Sequence, residues 1–415
     1  MKPLKVLLLT AYYEPEITAL ATYVSQVVHD LAVQHCDVRV ITPMPTRDVD
    51  KQTQSEYRKL PVETLEDGRL IIRRLHIPFV EPRNLTARAL RYLLVMTALF
   101  FRGLFEPADV VLLYSAPPIF GLLGAALRLF RRVPVVYYLQ DIFPDSLINS
   151  GISSSKLPVI LGRWMERITY RAVSRIIVIC RDFRDNVLAK GVHADKLDLI
   201  YNWVDECVIQ PIPRQQNRLV ARFALERDAF YVTYSGNVGT TQNLELLVDV
   251  ADRLKKYADI RFLIIGNGSH EANIKYYAAR KKVDNLRFLP FQDAQDLSHV
   301  LSIGDVGIIL SKPHIGQNSF PSKTWYIMAA ARPVIASFDL ESELHDIVDA
   351  ANCGIYVRPD DRDAFEQAIL TLYRDRELCR QLGGNGRRYI EDNLTRQVGT
   401  AAVLDVLRRA AYPSA

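Results

Sequence analysis

The chain has 415 residues, of which 49% are hydrophobic and 24% are charged, and its formal net charge is +5. The length and apolar content predict two or three globular domains with sizeable cores, and the mixed charges, which form no basic arm, argue against a nucleic-acid-binding protein. The five cysteines have no metal-ligand spacing, and no apolar stretch reaches the roughly 18 residues of a transmembrane helix. We therefore expect a protein of the reducing cytoplasm, without a metal centre.

The first part of the chain alternates short apolar runs with amphipathic stretches. Residues 5–10 predict a strand, residues 19–34 a helix with apolar side chains at helical spacing, and residues 38–42 a second strand. The apolar run at the N-terminus is too short for a signal peptide. This βαβ beginning predicts an α/β fold with a doubly wound parallel sheet.

A further apolar strand, at residues 133–138, leads into Gln140 and Asp141. Open α/β sheets bind ligands at the carboxyl ends of their strands, and a carboxylate in that position can accept the proton of an attacking hydroxyl. An aspartate before a turn is also a common helix cap. Asp141 is therefore either a catalytic carboxylate or a capping residue.

Two apolar segments with basic ends also lie in this half of the chain. Residues 90–105 are apolar on nearly every side and contain Arg91 and Arg102, while residues 119–130 run into further arginines. Such a helix lies either in a membrane interface, with its arginines at the headgroups, or in a protein core. Two such segments in one domain favour the membrane surface.

The second half of the chain begins with another alternation of strands and helices. Residues 210–217, which contain prolines and few apolar side chains, predict an interdomain linker. A strand at residues 229–234 then enters a loop with Gly236 and Gly239, and a helix follows. Glycines permit close backbone approach and a helix N-terminus favours phosphate, although a plain βα turn has the same pattern.

Residues 303–337 combine a strand, a loop, a helix and a second strand. Pro321 and Ser322 are expected to open the helix, because proline suits its first turn and serine can cap it. Lys323 lies in that first turn, beside the free N–H groups. A cation at a helix N-terminus suits a diphosphate, whereas a solvated lysine on an ordinary connection is the simpler alternative.

The C-terminal part of the chain is predicted from weaker patterns. Residues 340–348 and 353–357 are expected to complete the second sheet. The glycines at residues 383–386 predict a break in the chain, and an apolar stripe predicts one long helix over residues 387–409.

Several motifs resemble those of a known family. Residues 328–336, MAAARPVIA, resemble a run of the family 4 glycosyltransferases of the GT-B fold. The Phe-Pro-Ser-Lys at residues 320–323 is similar to a subgroup that builds O-antigens, capsules and colanic acid and includes fucosamine transferases. Residues 115–120, 140–146 and 202–205 are similar to further motifs of that subgroup. The resemblance covers nearly the whole chain.

The resemblance implies a GT-B architecture of two Rossmann-like domains that face a cleft. Residues 1–207 would form an acceptor-binding, membrane-associated domain, and residues 208–390 a domain that binds a nucleotide sugar. Residues 391–415 would form a helix that packs back on the first domain.

The implied activity is that of a retaining glycosyltransferase in surface polysaccharide biosynthesis. The donor would be a UDP-sugar with an N-acetylated or deoxy sugar, and the acceptor a polyprenyl-diphosphate-linked saccharide at the cytoplasmic face of the cell membrane. No cofactor, metal or nucleic acid is implied, and the oligomeric state is not predicted. Two alternatives remain: a sugar-nucleotide 2-epimerase of the same fold, and a non-catalytic donor-binding subunit.

The resemblance also implies roles for individual residues, with Asp141 and Lys323 as the catalytic ones. The residues expected to bind the donor are Gly236, Asn237, Gly239, Gln242, Gly266, Asn267, Gly268, Phe291, Gln292, Asn318, Ser319, Phe320, Ser322 and Tyr326. The residues expected to bind the acceptor are Tyr13, Glu16, Gln140, Pro144 and Ser146.

The chain departs from the family pattern at three places. Thr18 and Ala19 stand where the family has paired glycines, which makes the first loop less permissive. Asn237 and Gln242 replace an arginine and a lysine that neutralise the donor diphosphate, so Lys323 is expected to supply that charge. Two glutamates that contact the donor are replaced as well, by the residues at positions 318 and 326.

Overall fold

The computed structural model describes residues 2–16, 18–46, 49–77, 85–145, 156–316 and 320–413, without the side chains at positions 85, 86, 88, 156 and 157. The chain divides into two compact units. Residues 1–201 and 397–415 form the first unit, and residues 202–396 form the second. We describe each unit by itself.

The first unit is built on an eight-stranded sheet. Its strands are β1 (Lys5–Leu9), β2 (Asp37–Pro43), β3 (Val62–Leu65), β4 (Leu70–Leu75), β5 (Val110–Tyr114), β6 (Val135–Leu139), β7 (Arg175–Val178) and β8 (Leu197–Leu199). The spatial order is β3-β4-β2-β1-β5-β6-β7-β8, and only the β3–β4 pair is antiparallel. The central strands β5 and β6 are buried along their whole length, which is typical of a parallel sheet covered on both faces.

Helices connect these strands. They are α1 (Ala19–Val33), α2 (Lys51–Lys59), α3 (Leu85–Gly103), α4 (Phe120–Arg131), α5 (Lys156–Ala172) and α6 (Arg181–Ala189). Helices α3, α4 and α5 each lead to the next strand on the same side of β1, and right-handed crossovers therefore put them on one face of the sheet. In agreement, α4 packs against both α3 and α5.

Helix α3 contains the first apolar segment and has two different faces. Val95 and Leu99 are buried in the core of the unit, whereas Leu90, Leu93 and Phe101 are exposed. The two alternatives for this segment therefore each describe one side of the helix: the inner side is core, and the outer side is apolar surface. Within the described residues, no helix is long and apolar enough to cross a bilayer.

The second unit is built on a six-stranded sheet. Its strands are β9 (Phe230–Ser235), β10 (Ile260–Ile265), β11 (Leu286–Leu289), β12 (Val306–Leu310), β13 (Val334–Ser337) and β14 (Gly354–Val357). All pairs are parallel, in the order β11-β10-β9-β12-β13-β14. This is the strand order of a dinucleotide-binding Rossmann fold, with its switch point between β9 and β12. The predicted fold class of two Rossmann-like α/β domains is confirmed.

The helices after β8 follow the same alternation. They are α7 (Arg218–Arg222), α8 (Leu244–Arg253), α9 (Glu271–Arg280), α10 (Leu297–Ile303), α11 (Lys323–Ala329), α12 (Glu343–Ala350), α13 (Arg362–Arg374), α14 (Arg376–Asn393) and α15 (Arg396–Ala411). The prediction that residues 340–348 belong to the sheet is wrong. Ser342 accepts a hydrogen bond from the Leu344 N–H and starts helix α12 instead.

The predicted break at residues 383–386 is also wrong, because helix α14 runs through these glycines. A methyl group at Gly383 would lie 2.4 Å from the Ala331 carbonyl oxygen, and one at Gly386 would lie 3.2 Å from the Met328 side chain. The glycines therefore allow α14 to lie close to α11 rather than ending the helix. The helical break falls between α14 and α15.

The segment predicted as a linker is bound to the second unit. The N–H groups of Gln210 and Ile212 donate to Ser298 and Ser302, at 3.2 and 3.0 Å. The Arg214 guanidinium donates to Asp305 at 2.6 Å. These contacts fix the segment on the unit that follows it.

Candidate functional site

Two loops at the carboxyl edge of the second sheet lie back to back. The first follows β9 and contains Gly236, and the second follows β10 and contains Gly266 and Gly268. A methyl group at Gly266 would lie 2.0 Å from the Gly236 carbonyl oxygen, and one at Gly268 would lie 2.2 Å from the Val238 carbonyl oxygen. Only glycine fits these two positions, so the Gly-x-Gly pattern is required for the packing of the two loops.

Lys323 brings a positive charge to this pair of loops. Its Nζ lies 3.9 Å from the centroid of the Tyr234 ring, and a methyl group at Gly236 would lie 3.5 Å from the same Nζ. Lys323 is only partly exposed, and it makes no ion pair within the described part of the chain. Burial lowers the pKa of its ammonium from 10.5 to about 7. The arrangement leaves a cation beside backbone groups, which an anionic ligand would stabilise.

The residues that replace the family's arginine and lysine lie in the same loop. Asn237 is exposed, and Gln242 is partly exposed. The side-chain oxygen of Gln242 is buried and accepts no hydrogen bond from the described residues. The next residue, Asn243, has a left-handed backbone and donates to Asp360 at 2.7 Å, which fixes the start of α8. The loop therefore carries polar side chains but no charge of its own.

The turn after β11 has one exposed and one buried predicted donor residue. Phe291 presents its ring to solvent. Gln292 is buried, and its amide donates to the Pro290 carbonyl oxygen of the same turn at 2.6 Å. The Gln292 side chain thus closes the turn, and a donor contact from this residue stays a prediction.

Helix α11 starts differently from the prediction. Ser322 already has helical backbone angles and makes no capping hydrogen bond, so its predicted role as a side-chain cap is wrong. The hydroxyl of Thr324 instead donates to the Pro321 carbonyl oxygen at 2.8 Å. The Phe320 ring stacks on Trp325 with centroids 5.1 Å apart. These contacts fix the turn that carries Lys323.

Four further residues were predicted to contact the donor. Tyr326 lies on α11 and is partly exposed, and Asn267 is exposed on the loop after β10. Asn318 and Ser319 lie outside the described residues.

Asp339 is a structural residue of this edge that sequence reasoning missed. It follows β13 and is buried, and its carboxylate accepts from the His314 and Gly316 N–H groups at 2.9 and 2.8 Å. It therefore holds the loop after β12 in place. Its position could have indicated this role, because a carboxylate just after a strand can accept hydrogen bonds from the backbone of a neighbouring loop.

In the first unit, two of the predicted motifs meet at the carboxyl edge of the sheet. The Ser115 hydroxyl, at the end of β5, accepts from the Gln140 and Asp141 N–H groups at 2.9 and 3.3 Å. Asp141 itself is exposed, and Gln140 is partly exposed. Ser115 thus fixes the backbone from which the Asp141 carboxylate projects.

An ion network with two buried carboxylates and two partly exposed cations lies at the end of this segment and was not predicted. Asp145 pairs with Arg163 and with Lys190, whose Nζ is 2.7 Å from the carboxylate, and Lys190 also binds Glu166. Burial alone would raise the pKa of Asp145, but the hydrogen bond and charge of Lys190 and the charge of Arg163 outweigh it, so the pKa is lowered. These carboxylates are occupied by cations, and no set of His, Cys, Asp and Glu able to hold a metal occurs among the described residues.

The other predicted acceptor residues are mostly buried. Tyr13 is 2% exposed, and burial raises the pKa of its hydroxyl. Glu16 is buried and accepts from the Thr46 N–H at 2.9 Å. Thr18, in a position where the family has glycine, caps α1 by accepting from the Ala21 N–H. These residues therefore shape the first loop from its inner side.

Pro144 is buried beneath the Asp141 segment, where it packs on α5 at Gly162. Ser146 lies outside the described residues.

Comparison with known proteins agrees with this architecture. The chain is similar to the putative colanic acid biosynthesis glycosyl transferase WcaI of Escherichia coli, with 24% identity over 88% of this chain and 91% of the relative. Its fold is similar to that of sucrose-phosphate synthase from Thermosynechococcus elongatus, with a TM-score of 0.77, 17% identity and coverage of 98% of each chain. It is also similar to Anabaena HepE in complex with UDP and glucose, with a TM-score of 0.73, 13% identity and coverage of 97% and 99%.

Two family models match the two halves of the chain in turn. The glycosyl transferase 4-like domain matches residues 18–203, and glycosyl transferases group 1 matches residues 215–389. Each match falls almost entirely within one of the two structural units. Residues 18–203 therefore match a glycosyl transferase 4-like domain and residues 215–389 a glycosyl transferases group 1 domain, and the chain has the GT-B fold of its structural neighbours.

Proposed function

We propose that this protein is a retaining glycosyltransferase of surface polysaccharide biosynthesis. It transfers an N-acetylated or deoxy sugar from a UDP-sugar to a polyprenyl-diphosphate-linked saccharide. The observation that carries the proposal is the ammonium of Lys323 beside the Gly236 backbone and the Tyr234 ring. The colanic acid relative supports the polymer class, and the HepE complex supports UDP as the nucleotide.

The chemistry of the donor side follows from the position of Lys323. When the sugar leaves its nucleotide, negative charge develops on the diphosphate, and a preorganised cation stabilises that charge most effectively where water is excluded. The pKa of Lys323 is about 7 without a ligand, and a diphosphate nearby raises it, because an opposite charge favours the charged form. Lys323 is thus protonated when the diphosphate is bound, and the proposal needs no metal ion.

The chemistry of the acceptor side is assigned to Asp141. Its carboxylate projects from a backbone segment held by Ser115 and lies on the solvent side of the sheet edge. A carboxylate exposed at this sheet edge can orient an acceptor hydroxyl and take up its proton. Asp145, four residues later, is buried and paired, which excludes it from the same role.

The acceptor lipid is expected to be presented by the cytoplasmic face of the cell membrane. The outer side of α3 supports this, because Leu90, Leu93 and Phe101 expose about half or more of their surface. Arg91 on the same helix donates to Thr46 and adds a positive charge that attracts anionic headgroups, whereas Arg102 pairs with Glu106. Replacing Phe101 with aspartate should lower binding to anionic vesicles without unfolding the protein.

The decisive experiment identifies the product. The purified protein is incubated with a panel of nucleotide sugars and polyprenyl-diphosphate-linked saccharides, and the lipid-linked product is analysed by mass spectrometry and by the anomeric configuration of the new linkage. A new lipid-linked sugar with the donor's anomeric configuration supports the proposal. Release of a free epimerised nucleotide sugar would instead favour the epimerase, and tight donor binding with no product from any acceptor would favour a non-catalytic subunit.

A further inference from the structure

Helix α5 exposes an apolar stripe that the membrane-like segments at residues 90–105 and 119–130 do not include. Ile160 is 62% exposed, Leu161 51% and Trp164 54%. The three side chains share one side of the helix, since residues four apart are neighbours on a helical surface. The opposite side carries Gly162 and Glu166, which are buried. A soluble helix normally turns such large apolar groups inward, so this stripe needs a partner.

The same turn of α5 contacts the segment that carries Asp141. A methyl group at Gly162 would lie 2.8 Å from the Phe143 ring and 2.9 Å from Pro144. One turn further, Glu166 joins the ion network that includes Asp145. The exposed stripe is therefore rigidly connected to the candidate acceptor segment, with only the thickness of one helix between them.

The charges of the helical layer indicate what this partner is. Helices α3, α4 and α5 together contain nine arginines and lysines and a single acidic residue, Glu166. Glu166 is buried and pairs with Lys190 and with Arg163 of its own helix, and Arg102 of α3 pairs with Glu106. Arg167 and Arg171 are exposed on α5 and keep its surface basic. The whole chain is nearly balanced, with 52 basic and 47 acidic residues. An apolar stripe with tryptophan, set in a basic layer, complements an anionic lipid surface.

We propose that α5 is a second membrane-contacting helix, whose Ile160, Leu161 and Trp164 enter the boundary between headgroups and acyl chains of an anionic bilayer. This contact holds the Asp141 segment near the level at which the diphosphate of a lipid-linked acceptor lies. The role toward the acceptor rests on the proposed function, whereas the contact itself stands on the exposed stripe and the charges around it.

Trp164 supplies a built-in probe of this contact. The chain has three tryptophans, and the other two, Trp203 and Trp325, are 1% exposed. Addition of phosphatidylglycerol–phosphatidylethanolamine vesicles should shift the emission of Trp164 to shorter wavelength, protect it from acrylamide, and make it sensitive to brominated acyl chains. The Trp164→Phe variant assigns the signal. Protein that sediments with vesicles while its Trp164 emission stays unchanged would overturn the proposal, and would leave α3 as the membrane contact.

A matched pair of variants separates the stripe from general surface effects. Ile160 and Val33 are both β-branched and both 62% exposed, but Val33 lies on α1. Ile160→Asp should weaken vesicle binding about tenfold or more, since burial of one such side chain contributes roughly that much. Val33→Asp should leave it unchanged. Circular dichroism checks the fold, and Ile160→Ser replaces the aspartate variant if that variant does not fold.

Three outcomes remain distinct. Equal loss of vesicle binding in both variants would overturn the proposal, since the effect would then be one of added charge. A blue-shifted Trp164 in protein alone, with a dimer in sedimentation, would also overturn it, because a second copy would cover the stripe. If vesicles bind through Trp164 but no acceptor is glycosylated, the membrane contact stands and the proposed function fails.

Discussion

The carboxyl edges of the two sheets differ in whether their buried charged groups form ion pairs. At the edge of the first unit, Asp145 and Glu166 are paired with Lys190 and Arg163, and the network is complete without a ligand. At the edge of the second unit, Lys323 lies against an aromatic ring and makes no ion pair within the described residues. Paired charges fix a backbone, whereas a desolvated cation without a carboxylate costs folding free energy. An anionic ligand bound beside Lys323 would offset that cost.

The largest expected effect concerns Asp141, which shares a segment with the paired Asp145 but is exposed. Asp141→Asn keeps the size of the side chain and its capacity to cap a helix. Loss of a positioned acid–base group should lower kcat by about 10²–10⁴-fold and leave donor affinity unchanged. Initial rates with a lipid-linked acceptor, measured beside donor affinity, check this. The control is Asp195→Asn, an exposed carboxylate of the same unit.

A rate for the Asp141 variant within about threefold of the parent would remove this residue from the mechanism. Equal loss of donor affinity and rate would move Asp141 to the donor side.

The second largest effect is expected in the ion network of the first unit. Lys190→Met removes the less exposed of the two cations that bind Asp145 and Glu166, and leaves only Arg163, whose side chain is 41% exposed. Removing one partner of a buried ion pair costs about 3–5 kcal/mol, which is a large part of the about 5–15 kcal/mol that stabilises a typical domain. The midpoint of urea unfolding, followed by circular dichroism, should fall clearly. Lys59→Met, at an exposed position, should leave it unchanged. An unchanged midpoint for Lys190→Met would mean that the network does not stabilise the first unit.

Much of the fold could be predicted from the sequence, because apolar runs of strand length recur between amphipathic stretches. The β9 and β12 strands and the Lys323 turn were found in this way. Residues 383–386 show where the method fails: glycine weakens a helix by only about 1 kcal/mol, and close packing of α14 on α11 outweighs that preference. Residues 340–348 were misassigned for a similar reason, since a short apolar run fits a strand or a helix equally well.

The site was only partly predictable, for a different reason. Asp141, Lys323 and the loop glycines lie in motifs that can be read along the chain. The ion-pair partners of Asp145 are Arg163 on α5 and Lys190 at the end of α6, about 20 and 45 residues further along, and no local pattern connects them. The exposed side of α5 was missed because exposure depends on which face of the helix the neighbouring α4 covers. Long-range pairing and burial are properties of the folded chain, and local periodicity contains neither.

The third effect concerns Lys323 and its expected contact with the donor diphosphate. Lys323→Met should lower the affinity for a nucleotide diphosphate by more than tenfold, because a charge-assisted hydrogen bond contributes about 1.5–3 kcal/mol. It should also raise the thermal midpoint, since a desolvated charge is replaced by an apolar group of similar length. Calorimetry measures both. The control is Lys256→Met, which removes an exposed lysine that also lies near a tyrosine ring.

Unchanged nucleotide affinity of the Lys323 variant would contradict a role in diphosphate binding. Lower affinity together with lower stability would indicate that Lys323 is structural.

The smallest effect is a dependence of donor affinity on pH, and its sign follows from the lowered pKa of Lys323. In the free protein this pKa is about 7, against 10.5 for an unperturbed lysine. The diphosphate binds the protonated form, so above pH 7 binding must take up a proton, and affinity should fall by up to about tenfold per pH unit. A nucleotide sugar is the suitable ligand, because each of its phosphates has one ester and one anhydride bond and therefore keeps a single, constant charge in this range. Stability should change in the opposite direction: between pH 7 and 10.5 the unfolded chain binds more protons at this site, so the Lys323 contribution to the free energy of unfolding rises with pH.

Isothermal titration in buffers of different ionisation enthalpy measures the proton uptake directly. The Lys323→Met variant should bind without that uptake, and a parent protein whose affinity is constant from pH 6 to pH 9 would show that the ammonium does not meet the diphosphate.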